Sequence, residues 1–343
     1  GLMLFLAFVI STYLAGRRAE RQGIPGERLQ DIILWIFVGG LVGGRLFYMI
    51  QYRNQIANPF AEFFQIWNGG IVFYGSAAGG WVGYLIARRL MPRFHVSAWR
   101  IGDILAPSVA IGLAIGRVGC LLNGCCYGNV APPGNPAIHF PLMTAPSRDF
   151  VRQYQTSTGF AMDPKAKDPR TVVAVEPDSP AFRSGIKPGD VIMAVDGRAV
   201  DDYYDLVRAL TDEWPRGKKE VSFTVRRDSA EEVVGAYIPR TIGLNPTQIY
   251  ESISMLLLFA VLVFLYPLRR FDGQVLAVLM LAYAVHRYCN ELLRHDTPTY
   301  FLGLTVSQEI SILIFAGGVI IWLLRRHSPL APPAEPAVEP GQA

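Results

Sequence analysis

The chain has 343 residues, 51% of them hydrophobic and 17% charged, with 32 Lys or Arg against 28 Asp or Glu. A formal net charge of +4 is too small and too dispersed for a nucleic-acid binder, which needs a dense basic face. The charge is concentrated instead: residues 151–240 hold 14 Lys or Arg and 15 Asp or Glu, which leaves the rest of the chain strongly apolar.

In chain order, apolar segments recur at about 2–15, 31–50, 71–87, 101–122, 247–267, 274–293 and 304–324, most near the length that crosses a bilayer as a helix. The expected architecture is therefore a polytopic α-helical membrane protein of about seven transmembrane helices. The first segment is short and the chain begins at Gly1 without a methionine, so an upstream piece is expected. Arg17, Arg18, Arg21 and Arg28 follow the first span, Arg88, Arg89, Arg93 and Arg100 the third, Arg269 and Arg270 the fifth, and Arg325 and Arg326 the last. Every second loop is basic, which places those loops in the cytoplasm and the loops at 51–70, 116–246 and 294–303 outside.

The charged block interrupts the membrane part. Alternation from Thr171 to Val175 reads as a strand, Ser179 to Ser184 as a helical turn, Lys187-Pro-Gly-Asp190 as a turn, Asp201 to Leu210 as a helix and Glu220 to Arg226 as a closing strand. This pattern resembles a PDZ domain of the bacterial protease-associated kind, an inserted α+β unit over 157–240. The resemblance implies that a peptide C-terminus or extended segment docks near Gly159, Phe160, Ala161 and Met162. A pure spacer is the other reading. The membrane domain then falls in two parts, 1–156 and 241–326, and residues 327–343, rich in Pro, Ala and Glu, read as a disordered cytoplasmic tail.

Ionisable residues inside apolar segments mark sites. In the sixth segment Tyr283, Arg287, Glu291 and Arg294 are spaced by four, four and three, which puts them on one helical stripe. Cys289 points the other way and reads as packing. The stripe is either a structural ion pair or an anion site; two arginines against one carboxylate favour the anion, and guanidinium suits phosphate. Arg117 and Arg45 repeat the pattern in the fourth and second segments. Cys120, Cys125 and Cys126 lie within seven positions. A disulfide, plain packing and a thiol role in catalysis are all open readings, whereas the spacing matches no standard zinc pattern, so no metal and no cofactor are expected.

Four motifs carry a family resemblance: Gly69-Gly-Ile-Val-Phe-Tyr74-Gly75, Gly116-Arg117-Val-Gly119 leading to Asn123-Gly124 and Gly128, Asn245-Pro-Thr-Gln248-Ile-Tyr-Glu251, and Arg287…Glu291…Arg294. Their order resembles that of the prolipoprotein diacylglyceryl transferases. The resemblance implies transfer of diacylglyceryl from phosphatidylglycerol to the lipobox cysteine of a preprolipoprotein, at the outer side of the bacterial inner membrane. It implies that Arg117, Arg287 and Arg294 hold phosphate, that Glu291 orients them, and that Asn123, Gly128 and Tyr283 shape the pocket, with Arg45, Gln248, Glu251 and Cys120 on the substrate. Three positions depart from the family's best-known members: Cys120 replaces an asparagine, Cys125 a glutamate and Tyr74 a histidine. Tyr74 and Cys125 are the alternative proton acceptors. An envelope protein is a further expected partner, through the PDZ-like insert. The rival reading is a non-catalytic, lipid-binding membrane scaffold that recruits envelope proteins through the insert. An intramembrane protease is disfavoured because the spans offer no HExxH motif and no matched serine and histidine.

Overall fold

A computed structural model describes the chain except residues 54–55, 57, 66–69, 71, 92–95, 133, 143, 153–156, 164, 216, 295–302 and 331–343, and except the side chains of residues 73, 74 and 145. The helices are α1 (Leu2–Glu20), α2 (Gly26–Gln51), α3 (Pro59–Phe64), α4 (Phe73–Leu90), α5 (Ala98–Asn123), α6 (Ala145–Arg152), α7 (Pro180–Ser184), α8 (Tyr203–Leu210), α9 (Thr247–Leu268), α10 (Gln274–Glu291) and α11 (Val306–Arg325). The strands are β1 (Phe160–Met162), β2 (Val172–Val175), β3 (Val191–Val195), β4 (Arg198–Ala199), β5 (Val221–Arg227) and β6 (Ala230–Tyr237).

Among the described residues five helices, α1, α2, α5, α9 and α11, are long and apolar enough to cross a membrane, as expected of a multi-pass membrane protein. The segments expected as the third and sixth spans form the helices α4 and α10, each of 18 residues, but neither reaches that apolarity. Glycine dilutes α4, and Gln274, His286, Arg287, Asn290 and Glu291 dilute α10. Hydropathy also misplaces ends: α2 begins at Gly26, ahead of the apolar run, because hydrogen bonding continues through the polar Gly-Glu-Arg-Leu-Gln turn.

The chain divides into two compact units. The first comprises residues 1–115, 255–285 and 312–343. Its core joins Leu29 and Ile32 of α2, Ala87 of α4, Ile104 and Ala110 of α5, Leu262 of α9 and Val275 of α10. Helices α2 and α4 meet through glycine: a Cβ on Gly43 would lie 2.3 Å from the Gly75 carbonyl oxygen, and one on Gly79 would lie 2.1 Å from that of Gly39. Backbones this close need bare Cα atoms, the usual means of helix association where lipid leaves no hydrophobic drive. In the same unit Asp103 is fully buried. It accepts the Gly273 and Leu276 amides at 2.8 and 2.9 Å and so caps the start of α10.

The second unit comprises residues 116–254 and 286–311. It includes the charged block expected as an insert, which carries a hydrophobic core of its own. Ser179 caps α7 by accepting the Phe182 amide, Pro180 fixes the first helical φ, and Gly185, at φ 97°, ends the helix in the left-handed conformation. The sheet runs β4-β3-β5-β6, while β1 pairs with β2. The expected closing strand, β5, is followed by another, β6, across a two-residue turn in which Asp228 and Ser229 both have positive φ, the tight hairpin that matches strand twist. The core centres on Phe160, Ile192, Leu206 and Phe223, and it draws in Leu142 and Val151 from the segment ahead of residue 157. Burial works to raise the Asp190 carboxyl, but the Arg227 guanidinium and the Lys187 amide outweigh it and hold that group below its ordinary range.

Candidate active site

The second unit also carries a buried polar cluster drawn from α5, α9 and α10. Glu251, one turn into α9, is buried, and it is reached from two sides. Arg117 Nε of α5 lies 2.9 Å from one carboxylate oxygen, and Arg287 Nη1 of α10 lies 3.8 Å from the other. Asn290 Nδ2 donates to the latter oxygen at 3.1 Å. Arg287 in turn pairs with buried Glu291 at 2.8 Å and donates to Ser307 Oγ at 2.9 Å, and Thr305 donates to Glu291 at 3.1 Å. Two arginines from different helices are thus held by two carboxylates. Arg287 Nη1 is buried and has no hydrogen-bond acceptor among the described residues.

The stripe expected on the sixth span is shorter than the spacing suggested. Helix α10 ends at Glu291, and Arg294 follows in the turn beyond it, its amide on the Glu291 carbonyl at 3.1 Å. Tyr283 belongs to the first unit, packed against the apolar core there. Arg45 is also in the first unit, where it donates to the carbonyls of Glu62, of Gly70 at 3.0 Å and of Gln65 at 3.3 Å. It ties down the chain between α2 and α4. The side chain of Tyr74 lies outside the described residues, as do Gly69 and Ile71 of its motif.

The Asn245-Pro-Thr-Gln248 motif has a local purpose. At the start of α9, Thr247 Oγ1 donates to the Cys126 carbonyl and Gln248 Nε2 to the Cys125 carbonyl, both at 2.8 Å. The Gly128 amide donates to the Asn245 carbonyl at 3.1 Å, and a Cβ at Gly128 would sit 2.7 Å from that same oxygen. Glycine is therefore required for the two segments to touch. Asn123 is exposed at the end of α5. Gly124, at φ 72°, and Cys126, at φ 60°, then turn the chain back, so that the three thiols of Cys120, Cys125 and Cys126 lie within 4.8 Å of one another. All three are free. Hydrogen bonds with the Cys120 and Cys125 thiols pull the Cys126 thiol below its ordinary range; burial opposes this, and the Arg294 and Arg117 charges assist it.

Sequence reasoning gave one group a lesser part and passed over another. Glu251 entered only as a substrate contact, yet it is the pivot of the cluster; its spacing of three from Gln248 was the available signal. His286, which shares a hydrogen bond of 3.0 Å with Ser254, gave no signal beyond being an imidazole in an apolar segment. In the insert, Gly159 has φ 95° and Phe160 is fully buried against Phe223. Ala161 and Met162 pair with Ala174 and Val172 of β2.

This fold and site define a multi-pass membrane protein with two buried arginines clasped by carboxylates beside a cysteine turn. The family model described as prolipoprotein diacylglyceryl transferase matches residues 1–324, and the chain belongs to that family. The phosphatidylglycerol–prolipoprotein diacylglyceryl transferase of Rhodopirellula baltica is 30% identical over 95% of this chain and 71% of its own. That of Ralstonia pickettii is 26% identical over 95% and 89%. That of Neisseria meningitidis serogroup B is 38% identical over 38% and 46%. Among solved structures, the HtrA3 PDZ domain bound to a phage-derived ligand matches 32% of this chain and 85% of that chain at 23% identity, with a TM-score of 0.18.

Proposed function

We propose that the chain moves a diacylglyceryl group from phosphatidylglycerol to the lipobox cysteine thiol of a preprolipoprotein, forming a thioether and releasing glycerol phosphate. The observation that carries this reading is the pair of buried arginines, Arg117 and Arg287, brought from different helices onto one buried carboxylate, Glu251. The nucleophile belongs to the protein substrate, so the enzyme needs no triad of its own. It needs cations where charge develops on the phosphate as the carbon–oxygen bond breaks. Arg117 and Arg287 supply them, Glu251 and Glu291 hold them in place, and Arg294 adds positive charge at the cysteine turn. Cys120, Asn123, Cys125, Gln248 and Gly128 form or hold that turn. Tyr74, Tyr283 and Arg45 enter as pocket residues on the family resemblance alone.

The same reading takes the seven long helices as seven spans of the inner membrane, with the insert and the cysteine turn on the periplasmic side. The basic ends of α1, α4 and α11 support that orientation. The insert is taken as PDZ-like; its helix order, its capped α7 and the buried Phe160 after a left-handed Gly159 support this. It positions preprolipoproteins or another envelope protein.

The test is transfer of labelled diacylglyceryl from phosphatidylglycerol to a lipobox peptide by the full-length protein, beside Arg287→Ala. Transfer by the natural chain that is lost in the variant supports the proposal. No transfer, with lipid and peptide binding intact, would instead favour the scaffold.

A further inference from the structure

The three thiols of the cysteine turn are brought together by the path of the backbone. Cys120 sits in the last turn of α5, and the Cys125 amide returns to the Cys120 carbonyl at 3.0 Å. That reversal brings together three sulfur atoms that the sequence spacing does not, all within 4.8 Å of one another and all half-buried. Zinc–thiolate bonds of about 2.3 Å at tetrahedral angles put sulfurs about 3.8 Å apart, so the cluster needs to close by only about 1 Å to hold the ion. Its backbone is pinned from outside by Thr247 and Gln248. The charge balance also suits a metal: three thiolates and a divalent cation carry one net negative charge, and Arg117 Nη1 stands 4.0 Å from Cys120 Sγ.

We propose that Cys120, Cys125 and Cys126 form a three-thiolate zinc site whose fourth position takes the thiol of the protein substrate. Three protein ligands with one open position is the arrangement of catalytic rather than structural zinc. A thiol that coordinates such an ion is deprotonated outright. Its proton passes to solvent water, and the bound sulfur keeps its lone pair as a nucleophile. That pair forms the sulfur–carbon bond to the glyceryl carbon while the carbon–oxygen bond to phosphate breaks and its electron pair leaves with glycerol phosphate. The product is a neutral thioether, a poor zinc ligand, so it dissociates and restores the three-thiolate site. Nothing is oxidised or reduced. The metal site stands on the thiol geometry; its use of the substrate thiol rests on the transfer reaction proposed above.

The experiment uses full-length protein purified in detergent without chelator, loaded with Zn²⁺ alone and, in parallel, with Co²⁺ alone. The expected result is about one zinc per chain, and a cobalt form with the visible absorption of a tetrahedral thiolate site. Cys120→Ser and Cys126→Ser should lose the metal. Cys289→Ser, which removes an exposed thiol outside the turn, should keep it, and Cys126→His should keep it with an altered cobalt spectrum. Adding a lipobox peptide should change the cobalt spectrum, and the same peptide with serine for cysteine should not. No bound metal in the natural chain, metal retained in Cys126→Ser, or a disulfide within the turn would overturn the site. A loaded site that ignores the cysteine peptide would overturn its role in activating the thiol. Zinc and peptide binding without any diacylglyceryl transfer would sink the transferase reading and leave the metal site standing.

Discussion

Glu251→Gln is the sharpest test of the arginine cluster, because it removes one charge while keeping size and hydrogen-bonding atoms. At an effective dielectric of about 20, the attraction across 2.9 Å to Arg117 is about 6 kcal/mol, and that across 3.8 Å to Arg287 is about 4 kcal/mol. Desolvation of a carboxylate that is only 1% exposed offsets much of this. Removing one member of a buried pair nevertheless leaves the other charge uncompensated, at a cost of about 3–5 kcal/mol. The glutamine should therefore lower stability in detergent by that amount. If about 3 kcal/mol of it reports misplaced guanidiniums, transfer should fall about 10²-fold. Thermal unfolding and the initial transfer rate read the two effects. The same substitution made on an Arg117→Gln background should cost less than it does alone, by about 0.5–3 kcal/mol of coupling. The reasoning fails if Glu251→Gln keeps both transfer and unfolding temperature, or if its cost is unchanged when Arg117 is already gone.

Three further outcomes follow from the packing. Gly43→Ala places a methyl group 2.3 Å from a backbone oxygen and should cost about 1–3 kcal/mol. On the facing helix, Gly80→Ala meets Ile36 atoms only at 3.4 Å and beyond and should stay within about 0.5 kcal/mol; equal thermal shifts for the two would refute the close-contact account. Asp103→Ala removes the cap of α10, so the amides of Gly273 and Leu276 should lose hydrogen-exchange protection first; unchanged protection there would show that the cap contributes nothing. In the insert, the Asp168 carboxyl is held low chiefly by its hydrogen bond with Arg170, and that of Asp190 is held low by Arg227 and the Lys187 amide against burial. Depressed carboxylates contribute stability that is complete above their unfolded values near 4 and is lost as pH falls through the lower folded values. Hydrogen exchange of β3 and β5 in the full chain should therefore quicken with acidification below about pH 4, and less so in Asp190→Asn, which has already lost the group.

The architecture was legible where composition changes abruptly. The charged block from 151 to 240 stood out because folding in water and folding in lipid demand opposite surfaces. The turn residues within it, Ser179-Pro180, Gly185 and Lys187-Pro-Gly, dictate local backbone whatever surrounds them. The candidate site was half legible. Arg117, Arg287 and Glu291 were visible as charges in apolar runs, and Glu251 as a motif residue on the substrate, but its place between two arginines depends on how α5 and α10 meet α9. Arg294 was placed on the α10 stripe because spacing assumes that the helix continues, and the helix stops three residues earlier. The convergence of the three thiols escaped for a related reason: left-handed conformations at Gly124 and Cys126 fold the chain back, and zinc-site spacing rules assume a more extended path.

The two ends of the insert are stitched together below it. Ile138 and Leu244 exchange both backbone hydrogen bonds at 2.9 Å, the Thr241 amide reaches the Phe140 carbonyl at 2.8 Å, and Pro141 bridges Arg240. Closing a free loop of about a hundred residues would cost about 4 kcal/mol of chain entropy, a cost that grows only slowly with length. Here that closure is made at the neck, so the helices flanking the neck feel a short connection whatever hangs beyond it. The insert is in effect a cassette: a larger, smaller or unrelated module could occupy the same neck without altering the spacing between the cysteine turn and the start of α9.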